Sequence, residues 1–72
     1  MNSITPSGAA RRSEYWDSAM AAASELEIGL TAIRLDYEAG DISVREAADA
    51  RVELLERHLD HLRELKRRYL DP

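Results

Sequence analysis

Two runs of apolar residues with helical spacing, separated by a short turn signal, restrict most strongly what this 72-residue chain can fold into. In the first run, successive apolar residues are alternately three and four positions apart, as in a heptad repeat. The run comprises Trp16, Ala19, Ala23, Leu26, Leu30, Ile33 and Tyr37. Ser13 is a suitable N-cap before it and Gly40 a suitable stop after it. The pattern predicts a first helix over about residues 14–39.

The second run begins at Ser43-Val44-Arg45-Glu46, which has the form of a capping box. Downstream, one helical face holds Val44, Ala48, Val52, Leu55, Leu59, Leu62 and Tyr69, flanked by Ala47, Leu54 and Leu65. These residues predict a second helix over about 44–70, after a turn at 40–43. A connection this short is typical of antiparallel neighbours, so we expect an all-α hairpin in which the two apolar faces meet. We predict a flexible N-terminal tail over residues 1–12.

The first predicted helix carries another apolar row on its far side, formed by Ala21, Ile28, Ala32, Leu35 and Ala39. One neighbouring helix cannot cover both sides, and leaving Ile28 and Leu35 in water forgoes about 1.5 to 3 kcal/mol each. Chains this short usually need a disulfide, a metal or a partner, and this one has no cysteine. We therefore expect dimerisation to complete a four-helix bundle. The alternative is that Ile28 and Leu35 are simply exposed, since single exposed apolar residues are common.

The sequence indicates which residues would contact a partner, either a second copy or another protein. The predicted contacts are Trp16, Ala21, Ile28, Ala32, Leu35, Ala39, Leu54 and Leu65. Aromatic residues often anchor interfaces, which favours this role for Trp16. In the alternative interpretation, Trp16 closes the open end of the hairpin. Gly29, inside the first helix, predicts a place where two backbones approach closely.

Charge is segregated along the chain, although the net charge is only -4. Residues 14–41 hold seven acids and one arginine, whereas residues 57–68 hold five bases and two acids. The basic residues Arg63, Lys66, Arg67 and Arg68 are candidate phosphate contacts, so a small nucleic-acid-associated regulator is the alternative function. Cations in the last turns of a helix also complement its dipole, which explains them without nucleic acid.

No motif in the sequence predicts catalysis, a cofactor or a small-molecule site, and we expect a protein that is not an enzyme. His58 and His61 are three residues apart, a spacing that allows metal ligation but does not indicate it without further ligands. The longest apolar run, 19–23, is too short to cross a bilayer. The N-terminus lacks the pattern of a secretory signal, and a chain without cysteine is typical of the reducing cytoplasm, where we expect this protein.

The segment from Leu35 to Ala47 resembles the turn of short bacterial helical hairpins of the SHOCT type. The shared pattern is a helix, Gly40, an acid, Ile42, Ser43 and then Glu46. It covers under a fifth of the chain, and Ala47 stands where those modules carry an aromatic residue. The resemblance implies oligomerisation or recruitment of a partner protein.

Overall fold

The computed structural model describes residues 8–71 and contains two α-helices, α1 (Gly8–Glu38) and α2 (Val44–Tyr69). The helices pack against each other in antiparallel directions. Tyr37 and Val44 line the same notch beside the turn, and farther from the turn Leu54 lies against Gly29. The prediction of an all-α fold of two packed helices is therefore confirmed. The first seven residues of the predicted tail, and Pro72, lie outside the described residues.

Helix α1 begins earlier than the sequence predicted. It starts at Gly8, so residues 8–12 are helical and Ser13 lies inside the helix, not at its N-cap. The prediction of a tail that continues to residue 12 is wrong for these five positions. The reason is that Ala9, Ala10, Arg11 and Arg12 are strong helix formers, and their summed propensity outweighs one possible capping residue. Leu54 of α2 lies against Gly29 of α1. Counting outward from this contact along the two antiparallel helices, the first turn of α1 extends past the end of α2.

The turn joins two specific capping motifs. Gly40 has φ 82°, and its N–H donates to the Tyr37 carbonyl at 3.0 Å while the Asp41 N–H donates to the Asp36 carbonyl at 2.9 Å. This is the Schellman pattern, and its left-handed residue is favourable only for glycine or, less often, asparagine. The predicted capping box is also confirmed: the Glu46 N–H donates to Ser43 Oγ at 3.0 Å, and the Ser43 N–H donates to Glu46 Oε1 at 2.8 Å.

The capping box gives a first testable prediction. Replacing Ser43 with alanine removes the acceptor for the Glu46 N–H, and we expect the free energy of unfolding to fall by about 1 kcal/mol. Urea titration followed by circular dichroism measures this loss. Ser24→Ala is the matched control, because Ser24 is exposed within α1 and alanine is the better helix former there. Equal effects of the two substitutions would contradict a specific role for the cap.

The helices meet through small residues on α1. Ala22 is 5% exposed, and Gly29 faces Leu54 so closely that a Cβ built on it would lie 2.7 Å from Leu54 Cδ2. The predicted role of Gly29 as a position of close approach is confirmed. On α2 the contacting side consists of Ala47, Ala50, Leu54, His58 and Leu65, of which Leu65 is 4% exposed and the others are half-buried.

This packing differs from the predicted meeting of the two apolar faces. The inward side of α1 is centred near Ala22, Gly29 and Ile33, roughly 70° around the helix from the middle of the predicted heptad face. On α2, the residues predicted to flank the contact form it, while Val44, Val52, Leu55 and Leu59 are exposed. Both helices are thus rotated toward the side where small residues allow close approach. Among the described residues only Ala22 and Leu65 are buried apolar side chains.

Candidate interaction surface

The rotation of the helices leaves a continuous apolar surface on one side of the hairpin, which we call the broad apolar face. Helix α1 contributes apolar residues spaced seven positions apart. Helix α2 contributes the apolar face that the sequence analysis expected to pack against α1. The members are Trp16, Ala23, Leu30 and Tyr37 on α1, and Val44, Ala48, Val52, Leu55, Leu59 and Leu62 on α2. Only Leu30 and Leu62 are half-buried, and the rest are exposed. A surface of this extent on a small chain is typical of an interface.

A notch beside the turn shows that both helices contribute to the same side. It has a volume of about 210 Å³. Its walls bring Leu30 and Tyr37 of α1 together with Val44 and Ala48 of α2. Arg34 and Arg51 also line it, one from each helix. The apolar residues of the two helices therefore form one surface and not two separate stripes.

The opposite side of the hairpin is polar. A shallow cleft there is lined by Glu25 of α1 and by Arg57, His58 and His61 of α2, together with Ala22, Leu26 and Leu54 at its base. His58 is half-buried between the helices and His61 is exposed. Among residues 8–71, no group of three or more histidine, cysteine or acidic side chains is arranged to hold a metal ion. The two histidines lie on this polar side, away from the broad apolar face.

The predicted apolar row on the far side of α1, which we call the outer row, is exposed along its length. Ile28 is 70% exposed and Leu35 is 55% exposed, and Ala21, Ala32 and Ala39 are exposed with them. Thr31 and Ala32 form the floor of a shallow depression between the two large side chains. Helix α2 covers none of this row. The apolar residues of α1 are thus spread around the helix, whereas those of α2 are concentrated on one side.

Two of the predicted partner contacts lie elsewhere in the structure. Leu65 is buried inside the hairpin, and Leu54 lies between the helices against Gly29, so the prediction that they face a partner is corrected. Both belong to the side of α2 that packs on the small residues of α1. Trp16 is 62% exposed and does not close the open end of the hairpin. Its ring stands edge-on to that of Tyr15, with centroids 5.6 Å apart, and Tyr15 is the half-buried member.

The basic end of α2 is partly neutralised by its own acids. Arg63 pairs with Asp60 at 3.2 Å, and Arg67 pairs with Glu64. These are neighbouring pairs on one exposed helix surface. All four candidate phosphate contacts are exposed, and two of them, Arg63 and Arg67, already have anionic partners. The arrangement is that of a helix end whose cations complement its dipole.

Sequence reasoning missed the broad apolar face because it assigned the residues of α2 to the hairpin interior. Two signals in the sequence point to it. The apolar stripe of α2 is wider than one neighbouring helix can cover, and the small residues Ala22 and Gly29 repeat at a step of seven beside the heptad face of α1.

The chain is thus an all-α, two-helix protein in which few of the described apolar side chains are buried. No protein-family model, curated protein or solved structure matches this chain. The resemblance of the turn to SHOCT hairpins therefore gains no support from these comparisons. Neither described helix combines sufficient length and hydrophobicity to cross a bilayer.

Proposed function

We propose that this chain is a non-enzymatic protein interaction module that associates with a second copy through the broad apolar face and so forms a four-helix bundle. The observation that carries the proposal is the contrast in burial along the hairpin. Only Ala22 and Leu65 are buried among the described apolar residues, while large side chains of both helices are exposed on one side. A core this small rarely stabilises a short chain by itself.

The geometry of the broad apolar face suits a second hairpin. In a four-helix bundle each helix has two neighbours on adjacent sides, so its apolar side chains cover a sector that points toward the bundle axis. On α1 that sector runs from Ile33, which faces α2, through Leu30 to Trp16. On α2 it runs from Leu54 to Leu59. The apolar sectors of both helices turn toward the same side, where a second layer of two helices would complete the core.

The outer row fits a second copy less well than the broad apolar face does. It belongs to one helix only, and it is bordered by carboxylates on both sides. In a two-fold dimer each outer row would meet an identical row, which would place the acidic borders against each other. For this reason we transfer self-association from Ala21, Ile28, Ala32, Leu35 and Ala39 to the broad apolar face. Trp16, which lies on that face, keeps its proposed role as a partner contact.

Measuring the mass of the chain in solution tests the proposal. We expect sedimentation equilibrium at tens of micromolar to give twice the chain mass of 8.1 kDa. We also expect the midpoint of thermal unfolding to rise with protein concentration, because association stabilises the folded state by mass action. The proposal would be wrong if the folded protein had the mass of one chain and its thermal-unfolding midpoint did not depend on protein concentration.

A further inference from the structure

From the charges around the outer row we infer a second binding surface, one that takes a basic amphipathic helix from a different protein. The row is a continuous apolar stripe from Ala21 to Ala39, roughly 27 Å long at 1.5 Å per residue. Its large side chains, Ile28 and Leu35, are among the most exposed apolar residues of the chain. The stripe lies on the side of α1 opposite the bundle axis, so the proposed dimer leaves it uncovered.

The charges beside the stripe define the chemistry of the partner. On one side lie Glu14, Glu25 and Asp36, and on the other lie Glu27 and Glu38, with Asp17 near the N-terminal end of the stripe. All six are exposed. On the outward half of α1 between Glu14 and Glu38 there is no lysine or arginine, since Arg34 projects toward the broad apolar face, where it lines the notch. The stripe is thus apolar in the middle and anionic at its edges.

A helix that docks in a groove or on a stripe is recognised by apolar anchors spaced three and four residues apart. The anchors here would pack around Ile28 and Leu35, with Ala32 between them allowing the two backbones to approach. Lysine or arginine beside those anchors would meet the carboxylates, which favours a basic partner and disfavours an acidic one. The broad apolar face differs, because Arg34 and Arg51 line its notch and would repel the same ligand.

A synthetic leucine–lysine amphipathic peptide of about five helical turns is a direct probe of this surface. Fluorescence anisotropy of the labelled peptide, with the full chain as titrant, measures its affinity. We expect saturable binding that weakens with added salt, because exposed ion pairs are screened. We expect Ile28→Glu to abolish binding, and a peptide with glutamate in place of lysine to show none.

Two double variants with the same change in net charge separate this surface from general attraction. Glu25→Lys with Asp36→Lys reverses charge beside the outer row, and we expect the dissociation constant to rise about tenfold or more. Asp49→Lys with Glu56→Lys reverses charge on the far side of α2, where both acids are exposed, and we expect little change. Circular dichroism of each variant verifies that the helices are intact.

Several results would overturn the inference while leaving the proposed dimer in place. They are absence of peptide binding, equal weakening by the two double variants, and binding that survives Ile28→Glu. Assemblies larger than a dimer that Ile28→Glu reduces to dimers would also overturn it, since the occupant would then be another copy of this chain. Sedimentation of the unliganded protein tests the dimer separately, so failure of one idea is distinguishable from failure of the other.

Discussion

A chain that carries Leu55→Glu and Leu59→Glu together is expected to be monomeric at concentrations where the parent is a dimer. Both leucines lie near the middle of the broad apolar face, so the dimer would bury four carboxylates without partners. Burial of unpaired charge is costly, and we expect the dimer dissociation constant to rise at least a thousandfold, about 4 kcal/mol. Sedimentation equilibrium of both proteins measures the change.

The matched control for this variant is Ile28→Glu with Leu35→Glu, which makes the same kind of change on the outer row. We expect this control to keep the dimeric mass. If it dissociates instead, while the change at Leu55 and Leu59 leaves the mass intact, self-association takes place through the outer row. The sequence-based interpretation of the dimer contacts would then be correct and the proposal made from the structure would be wrong.

Leu65→Ala is expected to have the largest effect of any single truncation on the stability of the hairpin itself. Leu65 is the one large side chain buried among the described residues, and replacing a buried leucine with alanine costs about 2 to 5 kcal/mol. We expect the urea midpoint to fall steeply, with much of the helical signal lost at low protein concentration. Leu35→Ala removes the same atoms from an exposed position, and we expect it to cost less than about 0.5 kcal/mol.

Comparable losses for the two truncations would contradict the packing described here. They would mean that Leu35 is as well buried in solution as Leu65, which requires a molecule covering the outer row. A measurement at several protein concentrations distinguishes that case, because only a contact between molecules makes the difference depend on concentration.

The turn and the element types could be predicted from sequence because their signals are local. Gly40 and the Ser43–Glu46 box act within a few residues, so their geometry follows from the chain whatever it packs against. The start of α1 was harder to predict, since a serine N-cap competes with helix-forming alanines and arginines upstream. The choice between Ser13 and Gly8 depends on small differences in propensity that a single sequence does not resolve.

The rotation of the helices could not be predicted from apolar spacing. A heptad pattern defines which side of a helix is apolar, but in the proposed bundle that side would point toward the bundle axis and not toward the nearest neighbour. The nearest neighbour is instead set by where backbones can approach, at Ala22 and Gly29. For this reason Leu54 and Leu65 lie between the helices, where the sequence analysis had not placed them. Leu55 and Leu59, which were expected there, are exposed.

The left-handed conformation of Gly40 also bears on whether α1 packs against α2 of its own chain or against a helix of another chain. Both helices are rich in residues that favour a continuous helix, and without a break the chain could form one long rod. Two such rods lying side by side would reproduce the packing of Gly29 on Leu54 with the helices contributed by different chains, which is a domain swap. The turn at Gly40 returns α2 onto α1 of the same chain, so the proposed dimer would form and separate without either hairpin unfolding.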